Sequence, residues 1–262
     1  MRPNALKRRL LNGETAVALM MLSGDPHVPG ISAEAGFDSV MPDLEHTSLS
    51  LRELETLVRA SDAAGIVPTV RVAGSSKRDI LSVLETGVRG IMVPAVESAE
   101  EAAAIVAACR YHPEGRRGMY YLGYSSDYGS ASPEEHLASA NRELLTILQI
   151  ETVEGVRHAA EIAAVDGVDC VLVGPGDLSQ SLGMPFQFDD PAVWHAIRLV
   201  VTAARDAGKI PGIMPVSPEY AAKSIEEGLR FLLWGPDLNL MRNAARADVA
   251  LLSKLTGWQP AH

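Results

Sequence analysis

The run Leu145-Thr146-Ile147-Leu148-Gln149-Ile150-Glu151 is aliphatic and β-branched, and it gives way to polar residues only at its end. It lacks the strict alternation of a half-exposed strand, so it reads as a strand buried on both faces, as in a parallel sheet covered by helices. Runs of the same kind recur at 16–21, 39–44, 67–71, 90–96, 169–174, 209–214 and 231–235, which makes eight. Helical patterns fall between them at 51–64, 77–86, 99–109, 153–165, 192–207 and 218–228. Repeated strand–helix units with right-handed crossovers close naturally at eight, so the expected fold is an α/β (β/α)8 TIM barrel. No linker, charge block or low-complexity tract divides the chain, and one domain over 1–262 is expected.

Composition sets the surroundings. At 262 residues, with 47% hydrophobic and 21% charged residues, the chain can bury a sizeable core and gives no sign of disorder. A net charge of −10 argues against a nucleic-acid or anionic-membrane partner, since either needs a basic face. An anionic substrate must therefore be met by a local arginine or a metal. Cys109 and Cys170 have no ligand spacing and read as small buried hydrophobes. The cationic 1–11 segment precedes an apolar stretch too short for a signal core, and no apolar run could span a membrane. A reducing cytoplasm is the expected location.

In a barrel of this kind the chemistry sits where the strands end. The second strand ends in Asp43, Glu45 and His46, the third in Arg71, and the fifth in Gln149 and Glu151. The sixth runs into Gly174-Pro175-Gly176-Asp177, whose glycines let backbone amides approach a ligand closely. Of seven histidines, His27, His112, His136, His158, His195 and His262 fall in loops, on helical patterns or at the terminus. His46 alone follows two acids at a strand end, where they can orient its ring and tune its basicity. Arg71, ending a buried strand, needs a bidentate partner, and a substrate carboxylate or a neighbouring acid fits that fork. Glu151 and Asp177 read either as cation ligands or as a salt-bridged or helix-capping pair. A phosphate site at 174–176 is disfavoured by the carboxylate of Asp177.

Taken in order and spacing, Asp43-Leu44-Glu45-His46, Thr69-Val70-Arg71, Val93-Pro94, the 111–118 segment Tyr-His-Pro-Glu-Gly-Arg-Arg-Gly, Gln149-Ile150-Glu151-Thr152 and Gly174-Pro175-Gly176-Asp177-Leu178-Ser179 resemble the HpcH/HpaI family of metal-dependent pyruvate aldolases. The resemblance implies a barrel of the phosphoenolpyruvate/pyruvate type. It also implies a divalent cation (magnesium, manganese or cobalt) held by Glu151 and Asp177. Arg71 matches the residue that stabilises the pyruvate carbonyl and its enolate, and Gln149 a site glutamine. The Gly176 and Asp177 amides match the carboxylate-binding turn. His46 matches the acid/base histidine, Asp43 a neighbouring acid, and Glu45 an acid that supports the metal's waters. The implied reaction is reversible cleavage of a 4-hydroxy-2-oxo acid to pyruvate and an aldehyde.

Three departures bear on that expectation. Glu85 stands where the family commonly offers an aspartate across a subunit interface to the histidine. Leu44 replaces a frequent glycine. Met119-Tyr120-Tyr121-Leu122-Gly123-Tyr124 replaces an arginine-bearing segment, within an irregular 111–133 region that holds five of the six tyrosines. Tyr120 and Tyr121 are read either as the acceptor end of the pocket, favouring apolar or aromatic aldehydes, or as an oligomer contact. Malyl-CoA- or citryl-CoA-type cleavage, oxaloacetate decarboxylation and non-catalytic 2-oxo-acid binding remain as alternatives. The resemblance further implies a hexamer, a trimer of dimers that exchange their last helix, here 240–255.

Overall fold

The structure, a computed structural model, describes residues 1–259; His262 and the end of the 1–262 domain reading lie outside the described residues. Eight parallel strands close into a barrel in chain order: β1 (Ala16–Met21), β2 (Ser39–Pro42), β3 (Val67–Arg71), β4 (Gly90–Val93), β5 (Leu145–Ile150), β6 (Cys170–Val173), β7 (Ile210–Ile213) and β8 (Phe231–Trp234). The uninterrupted apolar runs have a simple cause, because both faces are buried. Along β5, Leu145 and Ile147 join Met20, Met41, Met92 and Leu172 in filling the barrel. Their neighbours Leu148 and Ile150 pack outward beneath the helices with Val171 and Val173.

Most strands stop one to three residues before the polar ends of their runs, because pairing ceases where the backbone turns to present the site. The 153–165 pattern is two helices, Val153–Arg157 and Ala159–Ala163, joined at His158. Three further helices, Ala5–Leu11, Val28–Glu34 and Pro133–Glu143, went unread in the sequence. The last carries a capping box in which Ser132 and Glu135 satisfy each other's backbone.

Helix Ala5–Leu11 closes the barrel at the end where the strands begin. Lys7 reaches Asp169 at 2.9 Å and donates to the Leu144 carbonyl at 2.8 Å, while Arg110 meets the same aspartate at 3.2 Å. At the opposite end, Asp237 opens the last helix, Asp237–Thr256, and accepts from the Leu22 amide at 2.9 Å, tying that helix to the end of β1. No residue of this helix is buried, and Met241, Leu251, Leu252 and Leu255 stand exposed. Among the described residues no helix is long and apolar enough to cross a membrane.

Asn4 is the clasp of the lower closure. Fully buried, it caps helix Ala5–Leu11 through the Lys7 amide and donates to the Arg89 and Glu143 carbonyls at 2.7 and 2.9 Å. Truncating Asn4 to Ala strands two buried acceptors and a cap, at a cost of about 2–3 kcal/mol. The urea midpoint is expected to fall at constant m-value. An unchanged midpoint would mean that the closure contributes nothing to stability.

Candidate active site

The ends of β2 and β3 are joined by a fully desolvated ion pair. Arg71 Nε and Nη2 donate to the two oxygens of Asp43 at 2.8 and 2.7 Å, and the two residues also form a parallel bridge. Asp43 has no exposed surface and Arg71 only 6%. The bidentate partner expected for Arg71 is thus Asp43, not a substrate carboxylate. Its Nη1 makes no hydrogen bond among the described residues. Glu45 Oε2 lies 3.2 Å from Arg71 Nε and 3.6 Å from His46 Nε2. His46 itself is more than half exposed, so Glu45 is the acid that bridges the guanidinium to the imidazole.

Across the rim, β5 delivers Gln149 and Glu151, which are 3% and 5% exposed. Gln149 Nε2 donates to Glu151 Oε2, and the Ala95 amide donates to Oε1 at 3.0 Å. To aim that amide, Ala95 adopts φ +52°, a left-handed conformation that costs an alanine about 1–2 kcal/mol. Gly174 lies against this pair: a Cβ there would stand 2.5 Å from Glu151 Oε2 and 2.7 Å from Gln149 Nε2, so both side-chain ends would have to move. Gly176 and Asp177 follow in the first turn of helix Pro175–Ser181, both exposed to the rim. The sequence missed Ala95, since a Pro-Ala-Val segment carries no residue that favours positive φ.

Three expected residues, Glu85, Tyr120 and Tyr121, lie elsewhere within the chain. Glu85 caps helix Lys77–Leu84 at the end facing the start of β4, and pairs with Arg117 Nη2 at 3.0 Å. Tyr120 packs beside Gly123 near Glu85, and Tyr121 against Gly129; their segment is anchored by Tyr124 to Asp62 and to the backbone at Gly87. That is the barrel end opposite the rim, so these residues could meet a site only on another copy of the chain.

A family model described as HpcH/HpaI aldolase/citrate lyase matches residues 17–244. The chain belongs to the HpcH/HpaI family. It is 34% identical to a 2-keto-3-deoxy-L-rhamnonate aldolase of Klebsiella pneumoniae, over 95% of this chain and 92% of the other. It is 36% identical to a hydroxypyruvate/pyruvate aldolase of Delftia acidovorans, over 94% and 91%. A crystal structure of an HpcH/HpaI aldolase from Desulfitobacterium hafniense superposes with a TM-score of 0.92 at 32% identity, covering 97% and 99%. As a member of the HpcH/HpaI family, the chain is a carbon–carbon lyase of the aldolase type.

The electrostatics of this HpcH/HpaI site favour a cation. Burial, reinforced by the charges of Asp177 and Glu45, pushes the Glu151 carboxyl up to about 7, against the pull of Arg71 and Gln149. Burial raises Glu45 as well. Among the described residues Gln149 Oε1 is buried without a hydrogen-bond partner, and Glu45 Oε2 has only its ion-pair contacts to Arg71 and His46. Excess negative charge and an unpartnered amide oxygen at one rim fit a divalent ion. No group of three or more His, Cys, Asp or Glu among the described residues forms a cage, so Glu151 and Asp177 would leave most of its positions for water and substrate.

Without added cation, Glu151 takes up its proton more readily folded than unfolded. Stability is therefore expected to fall as pH rises from about 4.5 to about 7, by roughly 2–4 kcal/mol, and to level off above. Asp177→Asn removes a repulsive charge and should move the Glu151 titration down and flatten that slope. Carboxyl infrared titration of both proteins checks this; an unmoved Glu151 titration would contradict the assigned coupling.

Proposed function

We propose that the protein catalyses reversible, divalent-metal-dependent cleavage of a 4-hydroxy-2-oxo acid to pyruvate and an aldehyde. The observation that carries this reading is Arg71: locked to Asp43 by two of its nitrogens, it keeps Nη1 for a developing oxyanion beside the carboxylates of Glu151 and Asp177. Magnesium, manganese or cobalt on Glu151 and Asp177 would supply Lewis-acid stabilisation of the 2-oxo group. The Gly176 and Asp177 amides hold the substrate carboxylate, and Gln149 orients Glu151 through its side-chain amide. His46, beside Glu45, takes the proton from the 4-hydroxyl. The C3–C4 bond breaks, its electrons enter the carbonyl, and Arg71 Nη1 meets the charge that forms there. The aldehyde leaves and C3 is protonated.

The assembly implied by the family is a trimer of dimers, supported here by a last helix that finds no cover on its own barrel. In such an assembly Glu85, Tyr120 and Tyr121 of one copy approach the rim of another. The two buried, unpaired cysteines accord with a reducing cytoplasm. The family description also names citrate lyase, so CoA-thioester cleavage and oxaloacetate decarboxylation belong in the same test.

Pyruvate release from a panel of 4-hydroxy-2-oxo acids and from oxaloacetate, coupled to lactate dehydrogenase, is the direct assay, with acetyl-CoA release followed alongside for malyl- and citryl-CoA. Turnover of the hydroxy-oxo acids is expected with manganese or magnesium, to be abolished by EDTA and to survive borohydride with pyruvate. Glu151→Gln should lower kcat about 10²–10³-fold. Turnover confined to oxaloacetate or a thioester would overturn the assigned reaction.

A further inference from the structure

At the barrel end opposite the rim, a cavity of about 490 Å³ opens between the end of helix Leu51–Ala64 and the start of the chain. Its walls carry three arginines, Arg2, Arg59 and Arg89, and one acid, Asp62. Asp62 is shared, pairing with Arg89 Nη2 at 2.9 Å and with Arg2. The other acids that engage these arginines are Asp127 on Arg2 and Glu55 on Arg59, and neither lines the cavity. The wall therefore carries more positive than negative charge, on a chain whose net charge is −10.

The cations are held in place before any ligand arrives. Arg59 and Arg2 both lie over the Tyr124 ring, their guanidinium carbons 4.1 and 4.9 Å from its centroid. Tyr124 also donates to Asp62 at 2.8 Å and accepts from Arg2 at 2.9 Å. Arg89 is only 8% exposed, and its Nε has no partner. Burial and the neighbouring charge of Arg2 disfavour its charged form, whereas Asp62 supports it. A buried, incompletely compensated guanidinium among preorganised cations is the arrangement that tetrahedral oxyanions satisfy.

We propose that this cavity binds a phosphate group, free or carried as a small phosphate monoester, at a site separate from the catalytic rim of its own barrel. Nothing in this assignment depends on the reaction proposed above. Isothermal titration of the full chain with inorganic phosphate and with glycerol 3-phosphate, at about 0.15 M salt, tests it. Saturable binding is expected, weakened roughly tenfold in Arg59→Gln and in Arg89→Gln and retained in Arg71→Lys. Arg59 is half-exposed, so its variant keeps the test valid should Arg89→Gln not fold. Tighter binding of the ester would identify a phosphorylated metabolite, and equal binding free phosphate. No saturable binding, or binding lost only in Arg71→Lys, would overturn the proposal. So would variants that lose stability while the wild type binds no phosphate, since the arginines would then serve only the C-terminal end of helix Leu51–Ala64.

Discussion

A carboxylate and a guanidinium removed from water at the ends of two adjacent strands set the terms for everything above them. Asp43 and Arg71 meet through two parallel hydrogen bonds, and neither has an alternative in solvent. Removing one partner would leave a buried charge, typically at a cost of 3–5 kcal/mol. The same pair fixes β2 against β3 where strand pairing ends, and decides which face of the guanidinium remains free. Structure and the proposed chemistry thus draw on one interaction: the fork that joins the two strand ends also leaves a single guanidinium nitrogen without a protein partner.

Opposite this pair the balance of charge reverses. Glu45, Glu151 and Asp177 face one arginine, and burial together with the neighbouring carboxylates pushes the Glu151 carboxyl up to about 7. The carboxylate is held by a strained Ala95 amide, a Gln149 side chain and a glycine that leaves no room for a methyl group. These are local costs borne by a rigid barrel, whose interior is packed with Met20, Met41, Met92 and Leu172 directly below.

The barrel was legible because strands buried on both faces leave a continuous apolar signature; β1 and β3 and the helices 51–64 and 99–109 fall where the pattern put them. The gathering of Asp43, Glu45, Arg71, Gln149 and Glu151 at one rim was legible for the same reason, since a polar side chain ending such a run has few places to be but there. What escaped depends on contacts distant in sequence or on backbone angles. Asp43 as the partner of Arg71 is a pairing between strands, and the left-handed Ala95 carries no marker residue. The tyrosines were readable as a cluster, but their placement at the far end of the barrel follows from Tyr124 meeting Asp62 and Gly87, which no local pattern encodes.

The central claim is that Arg71, oriented by Asp43, stabilises an enolate. Exchange of pyruvate methyl protons with deuterated water, followed by proton NMR in the presence of manganese-free magnesium buffer, reads that step without any aldehyde. The account predicts exchange by the wild-type protein and its loss in Arg71→Lys, which keeps the charge but not the two-point orientation. Equal exchange by both proteins would contradict it.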